Sequence, residues 1–225
     1  DPHVDSRAQK KIKEWVAGGG VLWASHAGLM RQEYDEPSTI FDEVFGLASR
    51  GEPVKGRDDW SESETEKEQI IVEKREGLQA VTFNVAPCKP PWKLGEAKPL
   101  AHFADGSPAF ISYGFGKGRA YLFGNATFTC TGNYGPIVKE PPDAAARREI
   151  VAVAARTAGV RPHVTLSHPR VLWCVQDGPE QTVLILASCF DEDIKGLSLE
   201  VFMPNKPASA YSGRSDKVDF EWLGD

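Results

Sequence analysis

Ser25 and His26 stand together at the end of a short apolar run, Val21-Leu22-Trp23-Ala24. A hydroxyl lifted by a sharp turn at the end of a buried strand, and faced by amide donors of whatever follows, is placed to attack an ester or amide. An imidazole within reach would take its proton. The surroundings weigh against that chemistry. No Gly-x-Ser-x-Gly or Gly-x-Cys-x-Gly pattern encloses the pair, and two adjacent residues do not readily act as nucleophile and base on one substrate. Hydrolysis would need a partner brought close by the fold, for which His102 and Glu33 are the candidates. The plain alternative is that Ser25-His26 only caps and turns the chain.

Other residues capable of chemistry fall into weaker patterns. Gly114-Phe115-Gly116-Lys117-Gly118-Arg119 has the glycines of a phosphate loop, but Arg119 leads into Ala120-Tyr121-Leu122-Phe123, where a phosphate loop would open a helix. A hairpin turn using glycine at positive φ explains it better. Asp58, Asp59, Glu62, Glu64, Glu66 and Glu68 make an acidic run that reads as a solvated loop, with cation binding the lesser alternative. Cys88, Cys130, Cys174 and Cys189 have no paired spacing, and Cys174 and Cys189 lie in apolar runs as core thiols. His3, His26, His102, His163 and His168 are too dispersed for a metal centre, so neither a metal nor a cofactor is expected. Asn125-Ala126-Thr127 matches a glycosylation sequon. Trp60, Trp92, Trp173 and Tyr134 offer rings that stack on sugars, although single aromatics are more often core or patch residues.

The 225 residues suffice for one large domain or two modest ones. At 41% hydrophobic and 26% charged, the composition is that of a folded globular chain. Lys plus Arg is 26 against 32 for Asp plus Glu, a net charge of −6. That balance disfavours sequence-independent nucleic-acid binding, which needs clustered cations. No apolar run approaches the roughly 20 residues of a membrane helix.

The elements that must position these residues follow from periodicity. Ala8, Ile12, Trp15 and Val16 share one helical face, with Asp5 or Ser6 as cap and Gly18-Gly19-Gly20 as stop. The unalternating run after it suits a strand covered on both faces, as in parallel sheets. A strand is expected before this helix and none precedes it, so either the chain is part of a longer one, the favoured reading, or another segment fills that place in the sheet. Ile40, Phe41, Val44 and Phe45 form a short helix ended by Gly46. Strands are expected over 69–75 and 78–84, a proline-rich loop or crossover over 86–99, and a hairpin over 108–124. A helix opens at Pro141-Pro142-Asp143, with Ile150, Val153, Ala154 and Ala158 as its stripe and Gly159 as its stop. Residues 160–225 then alternate apolar and polar in short runs, which predicts a small antiparallel β-sandwich of about five or six strands. Two domains are therefore expected, 1–159 as α/β and 160–225 as β.

The stretch Ile12 to Trp23 resembles the helix–glycine–strand unit of the class I glutamine-amidotransferase-like superfamily. Within it, the pattern is similar to the trimerisation domain of barrel-type beta-galactosidases. Phe41-Asp42-Glu43-Val44-Phe45-Gly46-Leu47 and the Tyr113 to Gly124 hairpin fit the same picture, as does the β-module after Gly159-Val160-Arg161-Pro162. The resemblance implies a flavodoxin-like sheet with a parallel core, flanking helices, and a small β domain. It also implies oligomer assembly, or a neighbouring catalytic domain whose carbohydrate site this module shapes. True amidotransferases carry cysteine where Ser25 or His26 stands, so thiol chemistry is not implied. Nor does the chain contain the barrel that bears the catalytic carboxylates. The expected role is that of a non-catalytic module pair of a glycoside hydrolase. The alternatives are a degenerate hydrolase using Ser25 or His26, or a sugar-binding module.

Overall fold

A computed structural model describes residues 3–25, 28–51, 68–85, 89–124, 144–168, 171–188, 194–213 and 217–224. The chain divides into two compact units, Asp1–Val160 and Arg161–Asp225.

The first unit opens with α1 (Ser6–Ala17), whose N-cap is Asp5: its carboxylate accepts the free amides of Arg7 (2.9 Å) and Ala8 (3.1 Å). Through Gly18-Gly19-Gly20 the chain enters β1 (Val21–Ser25). Next come α2 (Ile40–Val44), β2 (Leu47–Arg50), β3 (Glu68–Val72), β4 (Val81–Val85), β5 (Trp92–Leu94) and β6 (Lys98–Phe103). The hairpin β7 (Pro108–Phe115) and β8 (Gly118–Phe123) follows, then α3 (Ala144–Thr157). Six strands form one sheet in the order β1-β8-β7-β6-β3-β4, and β2 pairs with β5 apart from it.

The expected parallel core is not what the sheet shows. Only β1 and β8 run parallel; β8–β7, β7–β6, β6–β3 and β3–β4 are antiparallel. The sheet is mixed and strand-rich rather than clearly flavodoxin-like. The reason lies in the connections. Gly116-Lys117 is a two-residue turn, and so short a link joins only antiparallel neighbours. Apolar runs report that both faces are covered, and antiparallel strands can meet that condition too.

Both faces are indeed covered over β7 and β8. Phe110, Tyr121 and Phe123 pack with Ile150 and Val153 of α3, while the alternate residues Ile111, Ala120 and Leu122 pack with Val16 of α1 and Phe41 and Val44 of α2. Trp23 ties β1 to α3 by donating Nε1–H to the Ile150 carbonyl at 3.2 Å. Trp15 departs from the expected buried stripe: it is 55% exposed. Its ring lies against Gly20, where a Cβ would collide with the indole. The turn of the β7–β8 hairpin tucks beneath the end of α1. Lys117 N–H donates to Ala17 O (2.9 Å) and Arg119 N–H to Gly20 O (3.1 Å). Gly116 has φ +59, the glycine-first form of a tight hairpin, and a Cβ at Gly118 would meet the Val16 and Gly20 carbonyls.

The second unit holds β9 (Val164–Leu166), β10 (Val171–Asp177), β11 (Thr182–Ser188) and β12 (Leu199–Val201). They pair antiparallel as β10–β11 and β9–β12. Among the described residues these are two separate two-stranded sheets, not a five- or six-stranded sandwich, and 217–224 forms no strand despite its alternation. Period-two patterning marks a strand only where a neighbour supplies the ladder. The β10–β11 hairpin is apolar on both sides, with Leu172, Val183 and Ile185 exposed on one and Trp173 and Leu186 on the other.

Candidate functional site

The C-terminal end of β1 is where an α/β scaffold would place its chemistry. There Gly28 N–H donates to the Ser25 carbonyl at 2.7 Å, which brings the chain back on itself. Leu29 adopts φ +62, and a Cβ on Gly28 would stand 3.0 Å from Ser25 O. Arg50, the last residue of β2, enters this corner. Its Nε donates to Asp42 Oδ1 at 2.7 Å, one terminal nitrogen to Gly28 O at 2.8 Å, and the other to Leu29 O at 3.2 Å. The guanidinium also lies over the Phe45 ring, 5.5 Å from its centre. The Arg50 side chain is 1% exposed. Burial draws its pKa down from the ordinary value, and the hydrogen bond and charge of Asp42 oppose that pull. A buried cation satisfied by one carboxylate and two backbone carbonyls fixes geometry; it supplies neither a nucleophile nor a base.

Ser25 lies at that corner, and no described side chain hydrogen-bonds to its Oγ. His26 lies outside the described residues. Neither candidate partner is brought to Ser25. The Glu33 carboxylate accepts from the backbone N–H (2.9 Å) and hydroxyl (3.4 Å) of Ser6, at the start of α1. His102 sits on β6, three strand spacings from β1, or about 14 Å across the sheet. Its Nδ1 lies 3.3 Å from Glu73 Oε1.

Two polar constellations escaped the sequence reading. Gln9 is fully buried in α1. Its amide donates to Val4 O and Arg31 O, both at 2.9 Å, and accepts from the Ser38 hydroxyl at 2.6 Å. The signal was present: Gln9, Ile12 and Val16 share helical spacing, which puts this amide on the inward face. The second constellation centres on Glu76, which holds φ +51 in the β3–β4 connection. Its Oε1 accepts from Arg119 (2.7 Å) and Ser112 (3.1 Å), and its Oε2 from the Tyr121 hydroxyl (3.3 Å). Tyr121 also meets the Thr157 hydroxyl at 2.8 Å. The Glu76 bond holds the Arg119 pKa above its ordinary value. Burial, more than the Glu76 charge, raises that of Tyr121, against the Thr157 hydrogen bond. No local sequence signal links Glu76 to strands so distant in the chain.

The remaining sequence candidates are scattered. Among the described residues, no group of three or more His, Cys, Asp or Glu is placed to hold a metal ion. His3 pairs with Asp35 at 2.9 Å and His163 lies 3.8 Å from Asp177. Cys174 is exposed, not a core thiol, because the β10–β11 hairpin is uncovered. Cys88, Cys130, Cys189, Trp60, Tyr134, the Asn125 sequon and the acidic run up to Glu66 lie outside the described residues. Trp92 is half-buried and Trp173 exposed. No described helix is long and apolar enough to cross a membrane.

No family model matches the chain, and no curated protein does. Solved structures do. Gan42B, a GH42 beta-galactosidase from G. stearothermophilus, aligns with 85% of this chain at 17% identity and a TM-score of 0.63. The chain shares its fold with part of a beta-galactosidase. A cold-adapted beta-galactosidase from Rahnella sp. R3 aligns with 89% at 15% identity and a TM-score of 0.64. An alpha-L-fucosidase, isoenzyme 2 from Paenibacillus thiaminolyticus, aligns with 100% at 12% identity and a TM-score of 0.60. The chain spans 25%, 30% and 36% of those three proteins, respectively.

Proposed function

We propose that the chain is a non-catalytic module pair of a larger glycoside hydrolase related to beta-galactosidases. Its role is oligomer assembly, or the shaping of a carbohydrate site on a neighbouring catalytic domain. In this reading the first unit is a degenerate amidotransferase-like domain whose corner holds Ser25-His26 instead of a reactive cysteine. The observation that carries it is the Arg50 knot. Three and four residues past Ser25, the Gly28 and Leu29 carbonyls hold a buried cation that is also bound to Asp42, an arrangement that supports a structural role for this corner. Likeness to about a quarter of a GH42 chain supports the wider context.

The test is direct. Purified 225-residue protein is assayed against nitrophenyl glycosides and simple esters and amides. No turnover is expected, and Ser25→Ala and His26→Ala change nothing. Hydrolysis that disappears with either substitution would instead establish the degenerate hydrolase. A glycan panel separates the sugar-binding alternative: saturable binding lost in Trp173→Ala would favour it.

A further inference from the structure

We infer that the second unit carries a subsite for a neutral hexopyranose, built from His163, Asp177, Thr182 and Phe202 where the ends of its two hairpins meet. The inference goes beyond the role above and takes from it only the expectation that sugars are at hand.

Strand pairing brings the four residues together. Asp177 and Thr182 form the last pair of the β10–β11 ladder, beside a turn closed by Gly178 N–H donating to Gln181 O at 2.8 Å. Directly opposed residues share one face of a hairpin, and the Thr182 hydroxyl donates to Asp177 Oδ1 at 2.7 Å, which fixes the carboxylate. Val164 and Val201 form the end pair of β9–β12. One residue beyond it, Phe202 N–H donates to the His163 carbonyl at 2.8 Å. The Phe202 ring stands edge to face with the imidazole, centroids 6.4 Å apart and planes at 82°. Phe202 is nevertheless 50% exposed, so a face of its ring is open to solvent. His163 Nε2 lies 3.8 Å from Asp177 Oδ2, and these two side chains are exposed as well.

The gap between imidazole and carboxylate names the chemistry. At 3.8 Å it is too wide for a direct hydrogen bond. A hydroxyl seated about 2.8 Å from each atom closes it, donating to Oδ2 and accepting from Nε2–H. Such a group must donate and accept at once, which an alcohol does and a carboxylate, ammonium or guanidinium does not. Oδ1, already held by Thr182, keeps a lone pair for a second hydroxyl on the neighbouring carbon. Water fills the gap equally well, but a pyranose that displaces it also lays a C–H face on the Phe202 ring. The Asp177 charge repels a uronate, so the sugar is neutral. One ring and two or three exposed hydrogen bonds make a weak site, with a dissociation constant of about 1 mM or weaker.

Amide NMR spectra of the full chain, titrated with methyl β-D-galactopyranoside, methyl β-D-glucopyranoside and glucuronate, test the subsite. At least one neutral sugar shifts the amides of residues 163, 177, 182 and 202 along saturable curves, and glucuronate binds at least about threefold more weakly. Phe202→Ala and Asp177→Ala each weaken the neutral sugar about fivefold or more, with the remaining spectrum showing that each variant stays folded. Trp173→Ala leaves the affinity unchanged. Neutral sugars that move none of these amides up to about 50 mM overturn the subsite. So does binding that survives both substitutions, that vanishes with Trp173→Ala, or that is as tight for glucuronate. In all of these cases the module-pair reading stands, since that reading falls only by turnover, which the titrations do not measure.

Discussion

Arg50 and Glu76 each sit at the centre of a polar knot, at opposite ends and on opposite faces of the same sheet. Arg50 is sealed from solvent and donates to two main-chain carbonyls that would otherwise be buried without partners. Glu76 keeps 24% of its side chain exposed and accepts from three side chains. The first knot fixes the path of the backbone around the end of β1. The second fastens the β3–β4 connection onto β7 and β8, and through Tyr121 onto the end of α3. The difference shows what each end of the sheet tolerates. Around Arg50, removing one partner strands charge and carbonyls in a low dielectric; around Glu76, water can take over part of the bonding.

The largest effect is therefore expected at Arg50. Arg50→Met should destabilise the protein by about 3–5 kcal/mol in urea unfolding, since it takes the cation from Asp42, leaving it the Arg50 main-chain N–H at 3.4 Å, and strips two carbonyls of their donors. A loss below about 1 kcal/mol would mean that the knot does not hold the corner. Glu76→Ala should cost less, about 1–3 kcal/mol. Glu76→Gly sharpens the point. It removes the same carboxylate but relieves the left-handed backbone, so it should be about 1 kcal/mol more stable than the alanine variant. Equal stabilities would show that the φ of Glu76 carries no strain.

Tyr121→Phe should cost about 1 kcal/mol at neutral pH. Its pH dependence has a definite sign. The folded state holds the phenol proton above the ordinary value of 10.0, so the stabilisation is full below that value and declines as pH rises beyond it. The phenylalanine variant should lose less stability above pH 10 than the wild type. The smallest effect is expected at Ser25. Ser25→Ala should change stability by no more than about 0.5 kcal/mol.

The same two knots mark the limits of legibility in the sequence. Helix α1, its stop at the glycines, and the β7–β8 hairpin follow from spacing and turn chemistry, which are local. So does the interior of α3, where Ile150 and Val153 are buried as the stripe requires. Strand direction is not local. Apolar runs such as Val21–Ala24 register burial on two faces and say nothing of whether a neighbour runs parallel. Arg50 and Glu76 were invisible for a related reason: a charged residue between ordinary neighbours reads as surface until the partners that bury it are known. Trp15 misled in the opposite sense, because helical spacing placed it near the buried face and its ring instead folds back over Gly20.

The crowding beneath the end of α1 also has a practical side. Turns between two strands are the usual choice for inserting epitopes, tags or reporter domains. The tip at Gly116-Lys117-Gly118 is a poor choice, because any added segment would have to enter between the hairpin and the helix and lever them apart. The exposed Asp105-Gly106 tip joining β6 to β7 has open space around Gly106 and should accept such cargo.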